Sequence, residues 1–225
     1  LLVANLSGML ILGIGRIAIE YDAGLADYAH YAFATTLANV VLISASAMSV
    51  AIYPFLRQQD PAKLLAYFDE TNWIYSNLAF LLLLGYFPAV LFIQIAAPKY
   101  QDAISILDVV FVVAVLQGKM QLVNNTFYKA LRLERAMLAA NLSSLLMAVC
   151  LVALAWAYFH SVLALAYATL VTMLYRVYAS EIYLRRQLGE AAEWRHLAEG
   201  VVLLAFLLVM NGLAIYLRNK FEKRW

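Results

Sequence analysis

The sequence predicts an all-α protein, a polytopic bundle of transmembrane helices that crosses the bilayer about seven times. Three observations carry this expectation. Hydrophobic residues fill 65% of the 225 positions and charged residues only 13%, where an ordinary globular domain has about a quarter charged. Apolar stretches on the order of 20 residues, the length a bilayer core requires, recur along the whole chain. Basic residues are concentrated in alternate connections, as they are in a membrane topology.

The first segment, roughly 2–19, begins at Leu1 within apolar sequence and has no signal-peptide charge or cleavage pattern. It predicts a chain cut from something longer. Asn5, Arg16 and Glu20 fall near one face of it, with Arg16 and Glu20 one turn apart and set to pair. The second segment, roughly 29–54, carries a polar stripe of Tyr28, Thr35, Asn39, Ser46, Ser49 and Tyr53. Between Phe55 and Trp73, Asp60 reads as an N-cap, Pro61 as the first helical residue, and Leu64, Leu65 and Phe68 as one apolar side. That pattern predicts an amphipathic helix lying flat on the cytoplasmic interface, with a solvated connector as the other reading.

The third segment spans roughly 74–97 and the fourth roughly 103–123. The fourth places Ser105, Asp108 and Lys119 on a common face and ends in Gln121, Asn124 and Asn125, a half ill suited to lipid. The fifth, roughly 137–159, contains the single cysteine, Cys150, which its apolar run predicts to be a buried, inert thiol. The sixth, roughly 161–184, carries Tyr167, Thr172, Tyr175, Arg176 and Glu181, and the seventh covers roughly 199–217. Connections are short and no polar block is large enough to fold separately, so one membrane domain is expected.

Eight basic residues occupy one set of loops: Arg57 and Lys63, then Lys129, Arg132 and Arg135, then Arg185, Arg186 and Arg195. The other set has only Lys99. The first set is therefore assigned to the cytoplasm. Arg218, Lys220, Lys223 and Arg224 break the alternation. Three readings cover them: late charges orient weakly, the native chain continues into another helix, or the last segment does not fully span.

In this orientation Arg16 lies toward the outer side, and Lys119 and Arg176 toward the inner side. Arg16 and Arg176 each read either as snorkelling to headgroups or as facing a cavity, and Asp108 either as a shallow rim residue or as a cavity residue. Lys119 lies deeper and reads as facing a hydrated cavity. The Ser, Thr and Asn stripes are open to a second reading as interhelical hydrogen-bond glue. Their presence on several helices favours a polar cavity.

Soluble-enzyme chemistry is not expected. HExxH, GxSxG, CxxC, Walker A and dinucleotide patterns are missing, and His30, His160 and His196 are widely separated at helix ends. No cofactor or metal is predicted, and a formal charge of +2 argues against nucleic acid. Glu20, Asp22 and Asp27 in the first external loop are the one enzyme-like feature. They read either as a solvated helix end or as carboxylates like those of membrane glycosyltransferases that use lipid-phosphate sugar donors.

Four stretches resemble the polysaccharide (Wzx-type) flippases of the MOP superfamily, which also holds the MATE exporters and lipid II flippases. They are GRIAIEYDAGLADYAHYAFATTLANVV at 15–41, YPFLRQ at 53–58, APKYQDAISIL at 97–107 and NNTFYKALRLERAMLAANL at 124–142. The resemblance implies a MATE-like second six-helix bundle over residues 1–185, then a cytoplasmic connector, one extra helix and a basic tail over 186–225. An N-terminal six-helix bundle would be missing from this chain. It further implies a multi-pass protein of the bacterial inner membrane. Such a protein moves undecaprenyl-diphosphate-linked oligosaccharides to the outer leaflet by alternating access, for surface or exopolysaccharide biosynthesis. A polysaccharide polymerase would be a partner, H⁺ or Na⁺ a coupling ion, and a cationic central cavity would hold the substrate. Cavity candidates are Arg16, Asn39, Asp108, Lys119 and Arg176. Gly15 departs from the family pattern, which has Asp before Arg16, and leaves Glu20 as the local partner.

Three rivals stand beside this reading. A MATE-like exporter of small organic cations would rely on unpaired membrane carboxylates, for which Asp108 is the candidate. A membrane glycosyltransferase would need the external acidic loop. A helical scaffold would use the polar stripes only as contacts.

Overall fold

Apolar runs of this length can satisfy their backbone in lipid only as helices. The computed structural model describes residues 10, 11, 13–20, 24–190, 201–206 and 209, and every element within them is helical. A helical stretch over 13–20 leads into α1 (Leu25–Arg57), α2 (Leu64–Leu84), α3 (Tyr86–Ala96) and α4 (Ala103–Lys119). A π-helical turn, Met120–Asn124, joins α4 to the short α5 (Asn125–Ala130), and α6 (Glu134–Phe159) and α7 (Val162–Gln187) follow.

Among the described residues, four helices are long and apolar enough to cross a membrane: Leu64–Ala96, Ala103–Ala130, Glu134–Phe159 and Val162–Gln187. A fifth is added if the two limbs of α1, bent by 42° between Val40 and Ala45, count as one span. The chain is thus a helical, membrane-embedded protein, and these helices coincide with five of the seven expected segments. The first and seventh segments lie partly outside the described residues. So do Asn5, Asp22, Arg195, His196 and the basic residues of the tail.

The breaks have local causes. Pro88 has no amide hydrogen for the Leu84 carbonyl and its ring crowds that oxygen, so the helix is interrupted at Gly85, between α2 and α3. Beyond the bend in α1, the Ser46 hydroxyl donates back to the Leu42 carbonyl at 2.7 Å, a bond that bends helices.

The stretch from Phe55 to Trp73 departs from the interfacial helix expected of it. Asp60 accepts from the Ala62 amide at 3.1 Å and starts a 3₁₀ turn, Pro61–Lys63. From Leu64 onward, however, the chain is already α2. Phe68, Asn72, Tyr75, Ala79 and Leu83 are buried at steps of three and four, one stripe continuous with the rest of the span. Phe68 meets Phe127 edge-on at 4.9 Å, and this packing draws the amphipathic residues into the bundle.

The organising element is α4. Along the most apolar part of the span it opens, Ala103–Ala130, 83% is buried, against 28% for α6 and 22% for α2–α3. Tyr75 of α2 donates to the Val115 carbonyl at 2.5 Å, and Gly118 leaves room for the Tyr75 ring and for Ala45 of α1. Cys150 corrects another expectation. Its thiol is exposed on α6, because an apolar residue of a peripheral membrane helix is as well placed facing lipid as facing the core.

Candidate functional site

The polar side chains gather on two opposite faces of α4. On the first, α4 faces α1, α7 and the stretch 13–20. Gly15 lies there with a virtual Cβ 3.4 Å from the Tyr31 hydroxyl and 3.6 Å from Thr169 Oγ1, so glycine brings the leading stretch against α1 and α7. A carboxylate at position 15 would have to displace those hydroxyls.

Arg16 follows, half-buried, and its guanidinium donates to Thr35 Oγ1 at 2.7 Å. The expected Arg16–Glu20 pair does not form. Glu20 is exposed, and Arg16 turns inward to α1 instead. Beside Arg16 is an indentation with about 40 Å³ of open space, room for a few waters. Tyr31, Thr35, Asn39, Gln117 and Thr169 supply its polar lining, and Asn39 is exposed where α1 faces outward.

Gln117 extends this site inward, because its Oε1 accepts from Arg176 Nη1 at 3.1 Å. Arg176, only 2% exposed, also donates from Nε and Nη2 to Asn141 Oδ1 at 3.1 and 2.8 Å. Neutral amide oxygens therefore hold it. Among the described residues, no carboxylate lies within ion-pair distance of Arg16 or of Arg176. Burying a guanidinium such as Arg176 without a counter-charge is costly in any membrane bundle.

The opposite face carries Asp108 and Lys119. At about 100° per residue they lie in register with each other and across the helix from Val110, Val113, Ala114 and Gln117, which line the indentation. Their shared face was legible in the sequence. That face looks away from the Arg16 indentation. Asp108, 2% exposed, accepts from the Tyr86 hydroxyl of α3.

Lys119 was expected to face a hydrated cavity. It is instead buried against Glu181 of α7, with Nζ 2.9 Å from Oε2 and the Tyr178 ring centroid 5.3 Å away. Arg185 Nε adds to Glu181 Oε1 at 3.4 Å, and its Nη1 reaches Asp69 at 2.7 Å and Glu190 at 2.6 Å. These ion pairs join α2, α4 and α7 at the end of the bundle where the basic loops lie.

The polar stripe of α1 divides along its length. Thr35 and Asn39 belong to the indentation. Ser46 accepts from Gln121 Nε2 at 2.9 Å and Ser49 shares a 2.8 Å bond with Thr126, so the lower part is interhelical glue. Of the five cavity candidates, Arg16 and Asn39 line the indentation and Arg176 touches it through Gln117; Asp108 and Lys119 lie elsewhere. Gln117 and Asn141 escaped the sequence reading, although an amide within the apolar run of α4 was a usable signal for the first. His30 packs edge-on to Tyr100, and His160 forms the left-handed C-cap of α6. Among the described residues no His, Cys, Asp or Glu cluster could hold a metal. No protein-family model, no curated protein and no solved structure matches the chain.

Proposed function

We propose that this chain is part of a transporter that passes an anionic, lipid-linked glycan precursor across the bacterial inner membrane by alternating access, as its flippase resemblance implies. The observation that carries the reading is the Arg16–Gln117–Arg176 constellation, a half-buried and a buried guanidinium with no carboxylate at ion-pair distance among the described residues. A diphosphate would supply the missing charge and bidentate acceptors for guanidinium donors. At about 40 Å³ the indentation holds water and not a sugar diphosphate. Access for such a substrate therefore requires the bundle to open, as an alternating cycle would. Lys119, neutralised by Glu181, is not part of the substrate-facing set in this reading.

The test is surface-glycan assembly by the full-length protein. Arg16→Ala and Arg176→Ala should each abolish it at normal membrane levels of protein, while Asp27→Ala leaves it intact. Unchanged assembly in both arginine variants would sink the reading. Loss on Asp27→Ala alone would favour the glycosyltransferase.

A further inference from the structure

Asp108 lies on the face of α4 that the proposed anion path does not use. Asp108 is 2% exposed, and Tyr86 of α3, the side chain it bonds, is 4% exposed. The Tyr86 hydroxyl donates to Oδ1, and the buried Oδ2 has no hydrogen-bond partner. Among the described residues, Tyr86 is the one titratable group that interacts with Asp108; α1, α2 and α7 bring no charged side chain to it. An ionised carboxylate here would have one hydrogen bond, no cation and almost no water, whereas the neutral acid needs no counter-charge. With Oδ1 accepting from Tyr86, the proton of a neutral acid falls to Oδ2, where a hydroxyl without an acceptor costs less than a buried charge without a cation.

From this geometry we propose that Asp108 and Tyr86 form a proton-binding site, loaded in this conformation and emptied when water reaches the α3–α4 contact. Emptying breaks the Oδ2–H bond and passes the proton to a water molecule. The carboxylate left behind keeps the Tyr86 hydrogen bond and gains hydration. Asp108 stands in the second turn of α4, toward the end of the bundle opposite the basic loops, so only a short separation of α3 from α4 would expose it. Proton exchange at this site would thus be tied to movement of α3 against the central helix.

Infrared difference spectroscopy on the full-length protein in lipid tests this directly. At neutral pH the wild type should show the carbonyl stretch of a neutral carboxylic acid, shifted down in D₂O. Asp108→Asn should lose that band. Tyr86→Phe, which removes the donor to Oδ1, should keep it at higher frequency. If wild-type and Asp108→Asn spectra coincide in this region at neutral pH, Asp108 is ionised and the proposal fails. A hydrophobic carbodiimide, which attacks protonated carboxyl groups, gives a second readout that does not depend on glycan transport. Labelling of Asp108 that falls as pH rises supports the site, and labelling independent of pH overturns it.

Discussion

Replacing Glu181 with Gln isolates the charge pairing at the basic end of the bundle. Lys119 Nζ and Glu181 Oε2 stand 2.9 Å apart with side chains 2% and 3% exposed, so the variant leaves a buried ammonium facing a neutral amide. Removing one partner of a buried ion pair costs about 3–5 kcal/mol, because the remaining charge keeps its desolvation penalty. The Tyr178 ring at 5.3 Å offsets part of this, on the order of 1 kcal/mol. Arg185 loses Glu181 but keeps Asp69 and Glu190. The low end of the range, about 3 kcal/mol, is therefore expected. For a chain of this length it corresponds to a fall of roughly 6–12 °C in Tm. The double variant Lys119→Met with Glu181→Gln removes the buried ammonium as well and should recover most of the loss, since apolar replacement of a buried pair is often neutral. Thermal unfolding of the purified protein, comparing wild type, both single variants and the double, reads the cycle. A Glu181→Gln Tm equal to wild type, or a double variant as unstable as Glu181→Gln alone, would refute the reasoning.

Other outcomes follow from the same contacts. Asp69→Asn should cost less than about 1 kcal/mol and still less in high salt, because the Asp69 side chain is 50% exposed and its pairing with Arg185 is screened. Gly118→Ala puts a methyl group into the Tyr75 hydroxyl and should destabilise by about 1–3 kcal/mol. Pairing it with Tyr75→Phe should recover part of that in a melting curve, and strictly additive losses would count against the contact. Cys150 should react with a lipophilic maleimide in membranes and resist a charged one, since it is exposed on a helix whose outer surface is apolar; equal labelling by both would place it in water. A cysteine at Asn39 should be open to the charged reagent and one at Ser49 protected, because Asn39 is exposed beside the indentation and Ser49 is bonded to Thr126.

What was legible in advance depended on whether one helix carried the whole signal. Asp108 and Lys119 were rightly placed on a common face of α4, since helical periodicity needs no knowledge of neighbours. What lies opposite that face was not legible. Lys119 meets Glu181 from α7 and Asp108 meets Tyr86 from α3. The Arg16–Glu20 pair failed for the same reason, because its one-turn spacing permitted a bond that Thr35, from another helix, took instead. The start of α2 was misplaced because Phe68 packs on Phe127, which lies far along the chain. Cys150 was misread because an apolar stretch in lipid does not distinguish inside from outside.

By itself, then, the sequence determined the class of protein and the helices at its centre. A bilayer imposes length and apolarity on each crossing segment separately, and those are properties of consecutive residues. The tertiary structure alone decided which charges are neutralised and which are left uncompensated. Arg176 lies among amides and Lys119 against a carboxylate only because of how α4, α6 and α7 are rotated against one another. Electrostatic partnership is a matter of distances between helices, and no periodicity within one helix records them.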